Sequence, residues 1–188
     1  MHAIECYTAA RANSFSDAIA LEAMQLIASS LQTAVEDGTN QEARNHMSEG
    51  ALLAGIAFTN TGIAAVHALA YQIGSRFHVP HGIANGLFLP YVLECNLPAN
   101  IEKHANIART LGVKTDHLSS REIAEKGVGR IKDLAQAIGI PLHLKELGIP
   151  REALEEMALA TMSVTRLLIN NAKQLTIDDV RRIWQNAW

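Results

Sequence analysis

The sequence predicts an all-α protein that folds as a compact multi-helix bundle. The 188 residues are 48% hydrophobic but only 5% aromatic, a composition that suits closely packed helices better than a strand-rich sandwich. Apolar residues recur with helical periodicity, and breaks in that pattern fall at capping and turn residues. A chain of this length can bury a substantial core, and no repeat or flexible linker divides it. We therefore expect one helical domain over residues 1–188.

The amino-terminal part of the chain predicts three helices. HAIECYTAARA favours a helix over residues 3–12, and no residue ahead of it can cap its first turn. SFSD, residues 14–17, supplies cap candidates for a long helix that ends near Asp37. Asn40 can cap a third helix that runs to about Phe58. The uncapped start of the first helix is typical of a helix cut open in a truncated chain, and it is equally compatible with a natural helix that starts at Met1.

A long uncharged stretch follows, because no Asp, Glu, Lys or Arg occurs between Gly50 and Ser75. Such a stretch is long enough to cross a bilayer. However, the turn-forming segment TNTG, residues 59–62, and the polar residue His67 interrupt it. We therefore predict two buried helices and no membrane span, with the second helix over residues 64–73.

A loop and two further helices are predicted next. HVPHG, residues 78–82, should form the loop, and a helix should open near His81 or Gly82 and kink at Pro90. NIEKHANIARTLG, residues 100–112, has the pattern of a short amphipathic helix.

Capping signals place the last three helices. Ser119 and Glu122 form a capping box for a helix that runs through Ala137. GIPLHLKELGIP, residues 139–150, is interpreted as a connector, and its final proline suits the start of the next helix. The last helix should follow Thr176, with two aspartates in its first turn.

Composition and charge exclude several classes of protein. The formal net charge of −3 gives no basic stripe, which argues against a nucleic-acid partner. Cys6 and Cys95 stand alone, so neither a disulfide scaffold nor a thiolate zinc site is indicated. The first residues, MHAIECYTAARANS, lack the basic and apolar regions of a signal peptide. We expect a cytoplasmic protein that binds neither nucleic acid nor membrane.

Three histidines lie in a stretch that is otherwise almost uncharged. His67, His78 and His81 fall within residues 64–82, which carry one formal charge. Small residues around His67 allow another helix to approach it, and His81, between a proline and a glycine, can point back at the preceding helix. Neutral imidazoles suit Fe(II), Zn(II), Cu(II) and Ni(II), although two ligands are too few to hold a metal.

The spacing of these histidines is also compatible with an ordinary structural role. His67 could be a hydrogen-bonded core residue, with His78 and His81 as polar loop residues, and from spacing alone this interpretation is favoured. No HExxH, P-loop or G-x-S-x-G motif occurs. The glycines Gly127 and Gly129 fall inside a predicted helix and indicate close packing or local weakness. Charged or turn-forming residues flank four other histidines, which we expect to be on the surface: His46, His104, His117 and His143.

A resemblance to a known family changes this balance. HALAYQIGSRFHVPHGIANGLFLPYVLECN, residues 67–96, resembles the signature region of the iron-containing alcohol dehydrogenases. HAIECYTAARANSFSDAIALEAMQLI, residues 2–27, is similar to the start of that family's helical second domain. TRLLINNAKQLTIDDVRRIWQNAW, residues 165–188, is similar to its carboxyl end. The resemblance therefore spans nearly the whole chain.

The resemblance implies a set of site residues. His2, His67 and His81 correspond to the three imidazole ligands of a divalent iron, and the family's aspartate ligand would lie four positions before His2. Many members carry a further active-site histidine four residues after the second ligand. Here that position is Tyr71, which we take as the candidate catalytic residue, with a phenol in place of the imidazole that would relay a proton.

The resemblance also implies a function. Residues 1–188 correspond to the carboxyl-terminal metal-binding domain, and the family's amino-terminal nucleotide-binding domain is absent from them. In the complete enzyme Fe(II) polarises an alcohol or aldehyde, and NAD(P) exchanges the hydride. We expect the 188 residues alone to be inactive, to hold zinc or nickel better than iron, and to form a homo-oligomer through uncovered apolar surface.

Two alternatives remain open. One is a related metal-dependent polyol dehydrogenase or dehydroquinate synthase, and the other is a non-catalytic helical interaction module.

Overall fold

Ten α-helices and three short 3-10 turns make up the computed structural model, which describes residues 1–188 and contains no β-strand. The predicted all-α class is therefore confirmed. The helices are α1 (His2–Thr8), α2 (Ser14–Glu36), α3 (Gln41–Thr61), α4 (Ala65–Phe77), α5 (His81–Asn96), α6 (Ile101–Thr110), α7 (Ser120–Ala137), α8 (Leu154–Met162), α9 (Thr165–Leu168) and α10 (Ile177–Ala187).

Helix α5 lies at the centre of the core. Ten of its sixteen residues are buried, as expected for a helix that is apolar on all sides, and it packs against α4, α7 and α10. Phe88 of α5 meets Trp184 of α10 edge to face, with ring centroids 4.7 Å apart. The helix opens at His81 as predicted and continues through Pro90 to Asn96. His81 is thus the first residue of a mostly buried helix.

Several predicted caps are confirmed. The Asn40 side chain accepts a hydrogen bond from the backbone N–H of Ala43 and caps α3. Ser119 forms its capping box with Glu122 at the start of α7. Thr176 caps α10. The N-cap of α2 is Asn13, one residue ahead of the predicted candidates SFSD, and Ser16 of that segment completes the capping box.

The end of α1 differs from the prediction because of a distant asparagine. The helix ends at Thr8 and not near residue 12. The carbonyl oxygen of Asn170 accepts from the Ala10 N–H at 2.9 Å, and its side-chain oxygen accepts from the Arg11 N–H at 3.3 Å. These bonds hold the chain in an extended turn, so local helix propensity is overridden.

The uncharged stretch forms two helices, as predicted. Helix α3 runs to Thr61, and Gly62, with φ of +78°, ends it. Helix α4 begins at Ala65 and is four residues longer at its end than predicted, closing at His78 in the left-handed conformation. The two helices bend by 107°. By length and composition alone α2 could cross a membrane. Core helices of soluble proteins meet the same criteria, and α2 packs lengthwise against α3.

The carboxyl-terminal half contains further differences from the prediction. The connector includes a 3-10 turn over Leu144–Leu147, and α8 follows Pro150 only after a second turn, Arg151–Ala153. The four-residue helix α9 was not predicted, because its length is too short for a periodic signal.

The expectation that four histidines lie on the surface was wrong for one of them. His104 is buried on the inner face of α6, where its Nδ1 lies 2.8 Å from the carbonyl oxygen of Asn100. Of its charged neighbours in sequence, Glu102 is exposed and Lys103 is half-buried, because residues one position apart on a helix face different directions. His46 and His143 are half-buried and His117 is exposed.

Candidate metal centre

Three helix starts bring three histidines together. His2 is the first residue of α1, His67 lies in the first turn of α4, and His81 is the first residue of α5. One ligand nitrogen from each ring lies within 4.8 Å of the others. Residues that are 65 and 14 positions apart in sequence therefore share one site. His78 does not join them and is an exposed residue at the end of α4.

The ring geometry defines a small centre. The His2 and His67 rings stack nearly parallel, with centroids 4.9 Å apart, and their Nε2 atoms lie 3.1 Å from each other. The His81 ring is tilted by 50° to that of His67 at 5.3 Å. Burial falls from His67, which is 1% exposed, through half-buried His2 to exposed His81. The centre is thus open to solvent on the His81 side.

A buried carboxylate, Glu5, lies directly behind the centre. It is 3% exposed, and one oxygen accepts from the backbone N–H of Val66 at 2.7 Å. The other oxygen bonds Nδ1 of His67. Sequence reasoning missed this residue, although an acidic residue on the otherwise buried face of α1 was a usable signal.

The charge state of His2 favours binding a cation. Burial, followed by the proximity of His67, lowers the pKa of His2 to about 4. At neutral pH the ring is therefore uncharged and has a free lone pair, which is the form that ligates metals.

The donor set fits a divalent transition metal. Two nitrogens bound to one ion at about 2.0–2.1 Å stand roughly 2.8–3.4 Å apart for angles between octahedral and tetrahedral, and the Nε2 atoms of His2 and His67 are 3.1 Å apart. Imidazole is a ligand for iron, zinc, copper and nickel. Three such ligands leave positions for a substrate or another ligand.

Two partly exposed aromatic residues border the centre. Phe58, 39% exposed, stacks on His2 with centroids 5.5 Å apart. Tyr71, 40% exposed, has its ring centroid 6.2 Å from that of His67 and 6.3 Å from that of His81. Below His81, the buried Asn85 amide donates to the His81 carbonyl at 2.8 Å. The centre is therefore bordered by the Phe58 ring beside His2 and by the Tyr71 ring beside His67 and His81.

Fold and site together define an all-α domain with a candidate three-imidazole metal centre at its surface. Residues 1–188 match the model of the Fe-containing alcohol dehydrogenase family, C-terminal. The chain belongs to this family, and the resemblance seen in the sequence is confirmed.

Individual relatives agree with this assignment. The 1,3-propanediol dehydrogenase of Citrobacter freundii is 46% identical over 162 residues, which cover 84% of this chain and 42% of the relative. Long-chain-alcohol dehydrogenase 1 of Geobacillus thermodenitrificans is 37% identical over 187 residues, covering 100% of this chain and 47% of the relative.

Solved structures share the fold. A crystal structure of 1,3-propanediol oxidoreductase superimposes with a TM-score of 0.96 at 38% identity, covering all of this chain and 49% of that one. The alcohol dehydrogenase from Oenococcus oeni gives a TM-score of 0.96 at 37% identity over the same shares. The chain thus spans about half the length of these relatives.

Proposed function

We propose that this chain is the metal-binding half of an NAD(P)-dependent, iron-containing alcohol dehydrogenase, in which His2, His67 and His81 hold Fe(II). The observation that carries the proposal is the convergence of three imidazoles within 4.8 Å in a chain that belongs to this family. Zn(II) or Ni(II) is an alternative occupant of the isolated chain, because both bind imidazole more strongly than Fe(II) in the usual order of affinities for divalent metals.

The chain's own residues prepare the centre for substrate. A bound divalent cation supplies Lewis acidity toward an alcohol or aldehyde oxygen, and NAD(P) accepts or supplies the hydride. His67 is held from behind by Glu5, so its Nε2 faces the centre. His81, on the exposed side, leaves room for the substrate to approach.

The two aromatic residues that border the centre would contact the substrate. Phe58 offers an apolar face against the carbon chain of an alcohol. The Tyr71 hydroxyl can donate a hydrogen bond to the substrate oxygen or accept one from it. We propose that Tyr71 relays the proton of the alcohol hydroxyl during catalysis. It occupies the position where many family members carry a histidine. The names of the relatives cover 1,3-propanediol, lactaldehyde, methanol and long-chain alcohols, so the proposed substrates are alcohols or aldehydes as a class.

We propose that the nicotinamide cofactor binds mainly to residues other than these 188. Family enzymes hold it mainly on an α/β domain, and residues 1–188 contain only helices. We also propose a cytoplasmic location, and a homo-oligomer formed through exposed apolar side chains such as Phe15, Leu52 and Ile169.

Cobalt binding tests the proposal. The purified chain is titrated with Co²⁺, whose visible absorption reports ligand number, in parallel with His67→Ala and the matched control His78→Ala. We expect one site with nitrogen ligands in the unaltered chain and in His78→Ala, and loss of that site in His67→Ala.

Equal binding by all three proteins would contradict the proposed ligands. Absence of binding by the unaltered chain would favour the non-catalytic helical module.

A further inference from the structure

Glu5 connects two helices to the proposed metal centre. It lies on α1, one turn after His2, and both of its oxygens are used by α4. One oxygen accepts from the Val66 N–H at 2.7 Å. This amide is one of the donors that the first turn of α4 leaves without a partner inside the helix, and the residue before α4, Ala64, offers no side-chain cap. Glu5 thus caps α4 from a neighbouring helix.

The environment accounts for a carboxylate at 3% exposure. Its two oxygens have separate donors, and the positive end of the α4 dipole lies against it. Buried charges that are fully hydrogen-bonded in this way are tolerated in protein interiors. Neither contact depends on a metal being present.

The second contact fixes the proton on His67. A carboxylate only accepts hydrogen bonds, so Nδ1 of His67 must be the donor to Glu5. In the neutral ring the single proton is then on Nδ1, and Nε2 presents its lone pair. That lone pair faces the centre, because Nε2 is the atom 3.1 Å from the His2 ring nitrogen.

We propose that Glu5 is a positioning residue that sets the ring tautomer of His67 and thereby makes Nε2 available to a divalent cation. The inference rests on the proposed metal centre. Carboxylate partners behind a ligating histidine fix its tautomer and orientation, and their loss typically lowers metal affinity about 10- to 100-fold.

The variant Glu5→Gln separates this role from simple capping. Its amide oxygen can still accept from the Val66 N–H, so the cap on α4 is retained. Its NH₂ group then faces Nδ1 of His67 as a donor, which forces the ring proton onto Nε2 and points it at the centre.

Two measurements read out the effect. Long-range ¹H–¹⁵N NMR of the metal-free chain should show the Nδ1–H tautomer of His67 in the unaltered protein and the Nε2–H tautomer in Glu5→Gln. Calorimetric titration with Zn²⁺ should show a Kd about 10- to 100-fold weaker for Glu5→Gln. Circular dichroism should show the same helix content in both.

A second buried carboxylate provides the control. Asp179 is 4% exposed and accepts from Thr176 and Lys173 at the start of α10. Asp179→Asn removes a buried charge near the far end of α5, some 20 Å from His81 by helix length. It should lower stability and leave the Zn²⁺ Kd unchanged.

Each result decides a separate claim. A Glu5→Gln protein with unchanged His67 tautomer and unchanged Kd would overturn the role of Glu5. If Glu5→Gln fails to fold, an Nε2–H tautomer in the unaltered chain overturns it equally, and an Nδ1–H tautomer supports it. If the unaltered chain binds no Zn²⁺, the proposed metal centre fails, and the tautomer still tests Glu5.

Discussion

At the scale of single residues, Asn170 ties the turn after α1 to the turn before α4. Its side-chain NH₂ donates to the carbonyls of Thr61 and Ile63 at 2.9 and 3.1 Å, while its oxygens hold the turn after α1. The turn before α4, and hence the placement of His67, depends on this one side chain. Sequence reasoning could not find it, because its partners are more than 100 residues away.

We predict that Asn170→Ala destabilises the protein by about 1–3 kcal/mol, because buried carbonyls lose their donor. Urea unfolding measures the effect. The matched control is Asn60→Ala, whose exposed side chain bonds only within α3, with an expected change within about 0.5 kcal/mol. Equal effects from the two variants would contradict the role of Asn170.

A second residue-scale prediction concerns His104 and pH. Burial lowers the pKa of His104, and its Nε2 has no hydrogen-bond partner. Below pH 6.5, the ordinary value for histidine, the unfolded chain binds a proton at this position that the folded chain does not. Stability is therefore lost as pH falls from about 6.5 toward the lowered folded-state pKa.

Urea unfolding at pH 7.5, 6.5 and 5.5 tests this prediction. His104→Asn, which does not titrate, should lose stability less steeply over this range than the unaltered chain. Identical slopes for the two proteins would show that His104 contributes nothing to the acid sensitivity.

At the scale of elements, two glycines on α7 differ in their surroundings. A Cβ at Gly127 would lie 2.6 Å from the Cβ of Ala108, so α6 and α7 cross at close range there. A Cβ at Gly129 would meet nothing within 4 Å. The sequence indicated either close helix packing or local weakening of the helix for both glycines. The structure shows close packing at Gly127 and open space at Gly129.

We predict opposite signs for the two alanine substitutions. Gly127→Ala should destabilise the protein by about 1–3 kcal/mol through overpacking. Gly129→Ala should stabilise it by roughly 0.5–1 kcal/mol, because alanine is the better helix former. Thermal unfolding of both variants is the measurement, and a stabilising Gly127→Ala would contradict the close crossing.

Local sequence patterns predicted the presence of most helices better than the residues at which those helices end. Asn40 and Ser119 cap helices as expected because their bonds span three residues, which a sequence pattern contains. The end of α1 and the site residue Glu5 were missed because their partners lie on other elements. Of the candidate centre, His2, His67 and His81 were predicted from family resemblance, whereas the spacing of His67 and His81 alone favoured an ordinary structural role.

At the scale of the whole molecule, the 188 residues should bind a metal without catalysing hydride transfer. Residues 1–188 form only helices, and hydride transfer needs the nicotinamide held against the substrate. We predict no change in NADH fluorescence on titration and no aldehyde-dependent NADH oxidation by the metal-loaded chain. Turnover at rates normal for enzymes, above about 1 s⁻¹, would contradict this prediction.

The central claim, that three histidines from three helix starts form one cation site, is tested most directly by crystallography with a bound metal. Crystals of the chain soaked in Zn²⁺ are measured on both sides of the zinc absorption edge. The account predicts one anomalous peak about 2.0–2.1 Å from a ring nitrogen of each of His2, His67 and His81. A zinc peak elsewhere, with none between these three rings, would contradict it.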